Sequence, residues 1–213
     1  MTAIPRLNAA ALVDADHSDH AYELYALARA ATEVGFFTLC DTPISGAELA
    51  DLIAAYRTFF SQPEPQKAQV DMARTGANRG WGASLSEQVD PAANPDYKEV
   101  FDCGYELPPG DSLSDLAVYA PNLWPASPAG FRPIVQAYYQ KSTAFSLRLL
   151  AAIAKAIGEP ADFFDDKFTR PMALLRGNYY PARPTWAGDK DFGIAAHTDY
   201  GCLTLLATDG TPG

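Results

Sequence analysis

Apolar positions recur at helical intervals through the first three quarters of the chain and shift to short strand-like runs in the last. Between about Asp19 and Val34, Tyr22, Tyr25, Ala26 and Arg29 follow the three-to-four spacing that predicts a helix, which Gly35 ends. Phe36-Phe37-Thr38-Leu39-Cys40 then reads as a short buried strand. Ser45-Gly46-Ala47-Glu48 fits a capping box, in which the serine and glutamate side chains satisfy each other's backbone donors. It opens a second helix carrying Leu49, Leu52, Ile53, Tyr56 and Phe60, closed by Pro63 and Pro65. From Asp71 to Pro125 the composition turns to Gly, Pro, Asn and Ser, so a long irregular connection is expected, with Tyr97 to Cys103 as its one strand. A long helix is predicted from about Pro128 to Ile157, where Phe131, Ile134, Val135, Tyr138, Phe145, Leu149, Ala152, Ile153 and Ala156 keep helical spacing. Its apolar stripe needs a sheet to cover it. Met172 to Tyr180, Phe192 to His197 and Cys202 to Thr208 supply three candidate strands. No internal repeat or low-complexity tract interrupts this order.

Composition narrows the class. A chain of 213 residues with 48% hydrophobic and 12% aromatic content can bury a sizeable core. Sixteen Lys and Arg against 26 Asp and Glu give a net charge of −10, a poor footprint for nucleic acid or an anionic membrane surface, and point to a small-molecule ligand. Cys40, Cys103 and Cys202 are odd in number and far apart, so neither a disulfide framework nor a structural zinc site is expected, and a cytoplasmic location is. The first twenty residues lack the long apolar run of a signal peptide, and no segment is apolar enough to span a bilayer.

The candidate chemistry lies at His197-Thr198-Asp199. On an extended chain, residues i and i+2 face the same side, so imidazole and carboxylate would point into one pocket and grip one metal ion. A neutral nitrogen and a hard anionic oxygen, joined by a second imidazole, make the facial triad of non-haem Fe(II) oxygenases, which leaves positions open for an organic co-substrate and dioxygen. H-x-D alone is a short pattern that arises often without a metal. Asn178 and Tyr180 are likewise two apart, and an amide and a phenol are suitable donors to a carboxylate or keto oxygen, although a strand tyrosine with a satisfied hydroxyl is the commoner role. Arg176 shares their face by the same period, as a co-substrate neighbour or a solvated charge. Trp81, Phe101 and Tyr105 are candidate pocket aromatics, though core packing is the more frequent role. A hydrophilic terminus accounts for His17 and His20.

Several further stretches stand in a telling order: Ile4-Pro5, Gly35-Phe36-Phe37, Phe59-Phe60 with Pro63 and Lys67, Asn78-Arg79-Gly80-Trp81, Lys98-Glu99-Val100-Phe101-Asp102, Pro121-Asn122-Leu123-Trp124-Pro125, Arg176-Gly177-Asn178-Tyr179-Tyr180-Pro181 and His197-Thr198-Asp199. In this order and spacing the chain resembles the isopenicillin N synthase-like branch of the 2-oxoglutarate and Fe(II)-dependent dioxygenases. The resemblance implies an α+β protein with a double-stranded β-helix, a cupin-like jelly-roll, preceded by helices. Residues 1–125 would form the helical and loop region, and 126–213 the supporting helix and the first part of the jelly-roll. It further implies Fe(II) held by His197 and Asp199, and 2-oxoglutarate beside Asn178, Tyr180 and Arg176. Arg79 resembles a family position near the substrate entrance, while by local pattern it reads as a surface arginine. The reaction implied is oxidation of a small organic molecule by dioxygen (hydroxylation, desaturation or cyclisation), with 2-oxoglutarate converted to succinate and carbon dioxide.

The family carries a second histidine ligand well after its H-x-D and then an R-x-S pair for the distal carboxylate of 2-oxoglutarate. Neither is found by Gly213, so the chain is expected to be the N-terminal part of a longer enzyme, inactive as a fragment. Two other readings stay open: an oxidase of the same family that uses no 2-oxoglutarate, and a metal-free binding module.

Overall fold

The computed structural model describes residues 3–199 and 201–211. Two compact units are distinguished: Met1–Leu49 with Gln140–Pro171 and Leu205–Ala207, and Ala50–Tyr139 with Met172–Thr204 and Thr208–Gly213. Ten principal elements follow in order: β1 (Arg6–Asn8), α1 (Ala9–Val13), α2 (His20–Glu33), β2 (Thr38–Cys40), α3 (Gly46–Phe60), α4 (Glu64–Lys67), β3 (Gly80–Gly82), β4 (Glu99–Gly104), α5 (Phe131–Ala156) and β5 (Leu174–Tyr179). Among the described residues no helix is long and apolar enough to cross a membrane.

In the first unit β1 and β2 pair in parallel, Leu7 opposite Leu39. Asn8 caps α1 by accepting from the Ala11 N–H at 3.1 Å. The predicted α2 ends where expected, with the Gly35 N–H returning to the Ala30 carbonyl at 2.9 Å and Gly35 at φ +80°. The capping box forms as read: Ser45 N–H donates to Glu48 Oε2 at 2.8 Å, and Glu48 N–H donates to Ser45 Oγ at 3.2 Å. Lys141, on α5, adds an ion pair to Glu48 at 2.5 Å. Phe36 departs from the expected buried strand. It is 71% exposed, and the paired segment starts only at Thr38. His20 Nδ1 donates to the Ala11 carbonyl at 2.8 Å, a structural role for that ring.

The second unit holds an antiparallel sheet in the order β3-β4-β5. Alternation along β4 gives the sheet two different faces. Trp81, Phe101, Cys103 and Leu175 turn toward the core, where Phe101 meets Phe59 of α3 and Phe131 of α5, each with ring centroids 5.0 Å apart. Gly177, opposite Phe101, is where the sheet approaches α3 most closely: a Cβ there would lie 2.4 Å from the Tyr56 ring. The other face carries Asp102, Arg176 and Asn178, with Arg176 opposite Asp102. Burying apolar area on the first face drives the sheet onto the helices. It leaves the second face for polar chemistry.

The expected irregular connection contains one strand that periodicity missed, β3, whose Gly-Trp-Gly sequence carries too little side chain to signal a strand. Of the three late candidates, Met172–Tyr180 forms β5, whereas the described residues of 192–197 and 202–208 lie outside any strand. A strand needs a neighbouring ladder to pair with, and these runs find none among the described residues.

Candidate metal and co-substrate site

His197 and Asp199 come together, though without strand pairing beneath them. His197 Nε2 lies 3.4 Å from Asp199 Oδ1, and His197 Nδ1 lies 2.8 Å from the Ala195 carbonyl oxygen. A carbonyl only accepts, so the neutral ring carries its proton on Nδ1 and turns the Nε2 lone pair toward Asp199. Two donors each about 2.1 Å from one ion can lie no more than about 4.2 Å apart, so this pair fits a shared metal. Among the described residues no third His, Cys, Asp or Glu joins them as a metal-binding group.

Asn178 sits on the polar face of β5, opposite Val100, and is exposed. Tyr180 follows two residues on, 48% exposed, with its ring against Gly193: a Cβ there would stand 2.9 Å from Tyr180 Cδ1. Burial raises the Tyr180 phenol above its ordinary value, against the opposing pull of Lys98, so its hydroxyl remains a donor at neutral pH.

Arg176 is neither free nor merely solvated. Its Nε and Nη2 donate to the two Asp102 oxygens at 2.9 and 2.7 Å, and its Nη1 and Nη2 donate to Glu87 at 3.0 and 2.9 Å. Burial works against the charged guanidinium, but Asp102 and Glu87 outweigh it and raise the pKa. Asp102 has no exposed surface, and its desolvation pushes its carboxyl up while Arg176 pulls it back. Glu87 also feels desolvation first, yet Arg176 and Lys98 bring it below its ordinary value. Lys98 extends the network, its Nζ lying 3.0 Å from Glu87 and 2.7 Å from Asp96. Asp96 and Lys98 are 1% and 2% exposed.

Sequence reasoning missed Glu87, Asp96 and Asp102 as members of this site. Their one local signal is the D-x-K-x-x-x-D spacing of Asp96, Lys98 and Asp102, which puts all three on one face of an extended segment. Arg79 is a correction: it is 3% exposed and donates to the Asn78 and Val118 carbonyls at 2.8 and 2.7 Å. With Met172 and Leu174 it lines a cavity of about 260 Å³. Trp81 and Phe101 prove to be core residues rather than pocket aromatics.

The family profile described as the N-terminal region of non-haem dioxygenase in morphine synthesis matches residues 4–127. The chain belongs to this non-haem dioxygenase family. Among its relatives, the 2-oxoglutarate-dependent dioxygenase caaD of Aspergillus niger is 32% identical over 190 residues, covering 88% of this chain and 58% of that protein. The homoarginine-6-hydroxylase 2-ODD-C23.1 of Arabidopsis thaliana is 30% identical, covering 86% and 56%. A 2OG-Fe(II) oxygenase family protein from Caulobacter crescentus shares the structure with a TM-score of 0.69 and 26% identity over 87% of this chain and 58% of that one. A full-length Neurospora crassa protein, crystallised in complex with alpha-KG, gives a TM-score of 0.70 and 27% identity over 85% and 56%. This chain thus spans little more than half the length of these relatives.

Proposed function

We propose that the chain is part of an Fe(II)- and 2-oxoglutarate-dependent dioxygenase that oxidises a small organic molecule. The observation carrying this reading is the His197–Asp199 pair, its two ligand atoms 3.4 Å apart, in a chain whose relatives are 2-oxoglutarate-dependent dioxygenases. The sheet β3-β4-β5 is then part of the double-stranded β-helix, and its polar face lines the reaction chamber. Dioxygen would be the oxidant, and bound iron with 2-oxoglutarate would make it reactive, 2-oxoglutarate giving up two electrons as it becomes succinate and carbon dioxide.

The residues of the chain hold and orient. His197 offers Nε2 and Asp199 a carboxylate oxygen to the metal. The Asn178 amide and the Tyr180 hydroxyl donate to 2-oxoglutarate. Arg176 serves the co-substrate by fixing β5 through Asp102 and Glu87. The outcome at the substrate carbon is hydroxylation, desaturation or cyclisation.

In the full-length protein, iron-dependent formation of succinate from 2-oxoglutarate is expected, and His197→Ala or Asp199→Ala should abolish it while leaving the far-ultraviolet circular dichroism unchanged. Undiminished succinate formation by either variant would remove the assignment.

A further inference from the structure

His197 stands in a segment with no ladder of strand hydrogen bonds, yet a metal ligand must be held to within a fraction of an ångström. Its position therefore depends on what anchors residues 190–195. The Asn94 N–H donates to the Lys190 carbonyl and the Tyr97 N–H to the Phe192 carbonyl, both at 3.0 Å. The Asn94 amide donates to Asp191 at 2.8 Å. Nearest the ligand, the Ala195 N–H donates to Asp96 Oδ1 at 3.3 Å, and Ala195 is 3% exposed. The same residue's carbonyl receives His197 Nδ1.

Asp96 is in turn held from the sheet. Its Oδ2 accepts from Lys98 Nζ at 2.7 Å, Lys98 reaches Glu87, and Glu87 grips Arg176, which is locked to Asp102 on β4. A continuous path thus runs from the paired strands to the imidazole. Burying Asp96 and Lys98 together is costly unless their polar atoms are satisfied, and among the described residues the main-chain donor that Asp96 Oδ1 meets is the Ala195 N–H, two residues before His197.

We infer that Asp96 is a positioning residue for His197: by fixing the Ala195 backbone, whose N–H it accepts and whose carbonyl meets Nδ1, it holds the imidazole as the Nδ1–H form with Nε2 directed at the metal. This rests on the reading of His197 as an iron ligand. Groups that orient a metal-bound histidine through its other nitrogen act on metal affinity, commonly by 10- to 100-fold.

The test uses the full-length protein. Nitrogen-15 NMR of the metal-free wild type should report His197 in the Nδ1–H form; the Nε2–H form overturns the inference without any variant. Two double substitutions then separate the hydrogen bond from the charges. Asp96→Ala with Lys98→Met removes both charges and the acceptor, while Asp96→Asn with Lys98→Met removes both charges and keeps an amide oxygen for the Ala195 N–H. Calorimetric titration with Fe(II) should show Kd raised about 10- to 100-fold in the first and near wild type in the second. Equal affinity in the two, whether both tight or both weak, overturns the inference. Should the first fail to fold, the second still decides, since loss of tight binding or of the Nδ1–H form in it contradicts the role assigned to Asp96. His197→Ala is the control for the underlying reading: unchanged Fe(II) affinity there refutes the iron site itself, whereas lost affinity together with an Nε2–H wild type refutes only the role of Asp96.

Discussion

Tyr180 shows how one side chain takes its function from neighbours distant in sequence. Its ring lies against Gly193, where any larger residue would collide, and burial raises its phenol above the ordinary value. If its hydroxyl donates to 2-oxoglutarate, Tyr180→Phe removes a hydrogen bond to a charged group, worth about 1.5–3 kcal/mol. The KM for 2-oxoglutarate should then rise about tenfold or more with little change in kcat, measured as succinate formation. An unchanged KM would place the co-substrate elsewhere. His197, Asp199, Asn178 and Tyr180 could be singled out from sequence as candidates because their i, i+2 spacing is local. The carboxylates around Arg176 could not. Asp102 and Glu87 stand 74 and 89 positions from it, and isolated charges read as solvated until a fold brings them together.

At the scale of elements, the three long helices α2, α3 and α5 were readable, the short α1 and α4 were not, and the strands were readable only in part. Ser45 and Glu48 declare the start of α3 in four residues, and the glycines after α2 and α5 mark their ends. Strands depend on partners. Thus β5, which pairs with β4, formed as expected, while the equally apolar runs at 192–197 and 202–208 remain outside any strand. Ser45→Ala should lower stability by about 1 kcal/mol in a denaturant titration. The same box sets a pH response. Hydrogen bonding to Lys141, then to Ser45, lowers Glu48 from 4.5 to about 2. A depressed carboxyl pKa stabilises the fold above the unfolded value, and that contribution fades as pH falls from about 4.5 through about 2. Lys141→Met should reduce the pH dependence of unfolding across this window, the Ser45 hydrogen bonds keeping the remainder; an unaltered slope would mean that the Lys141 pair contributes nothing in solution.

For the molecule as a whole, one sheet separates two kinds of chemistry. Its core face packs Trp81, Phe101 and Leu175 against Tyr56, Phe59 and Phe131, giving a rigid apolar support. The opposite face carries Asp102, Arg176 and Asn178, and a buried ionic path from Arg176 through Glu87, Lys98 and Asp96 reaches the segment that bears His197. The apolar face holds the strands, and the ionic path ties the strands to the segment that bears His197. The compact units draw on both ends of the chain, and contacts between distant segments leave no mark on local composition. The central claim, that His197 and Asp199 hold the iron of a 2-oxoglutarate-dependent dioxygenase, is tested most directly by X-ray diffraction at the iron absorption edge from crystals of the full-length protein with Fe(II) and 2-oxoglutarate. An anomalous peak within about 2.0–2.2 Å of both His197 Nε2 and an Asp199 oxygen, with 2-oxoglutarate against Asn178 and Tyr180, is the predicted result. Iron bound elsewhere, or absent from this pair in iron-loaded crystals, would contradict it.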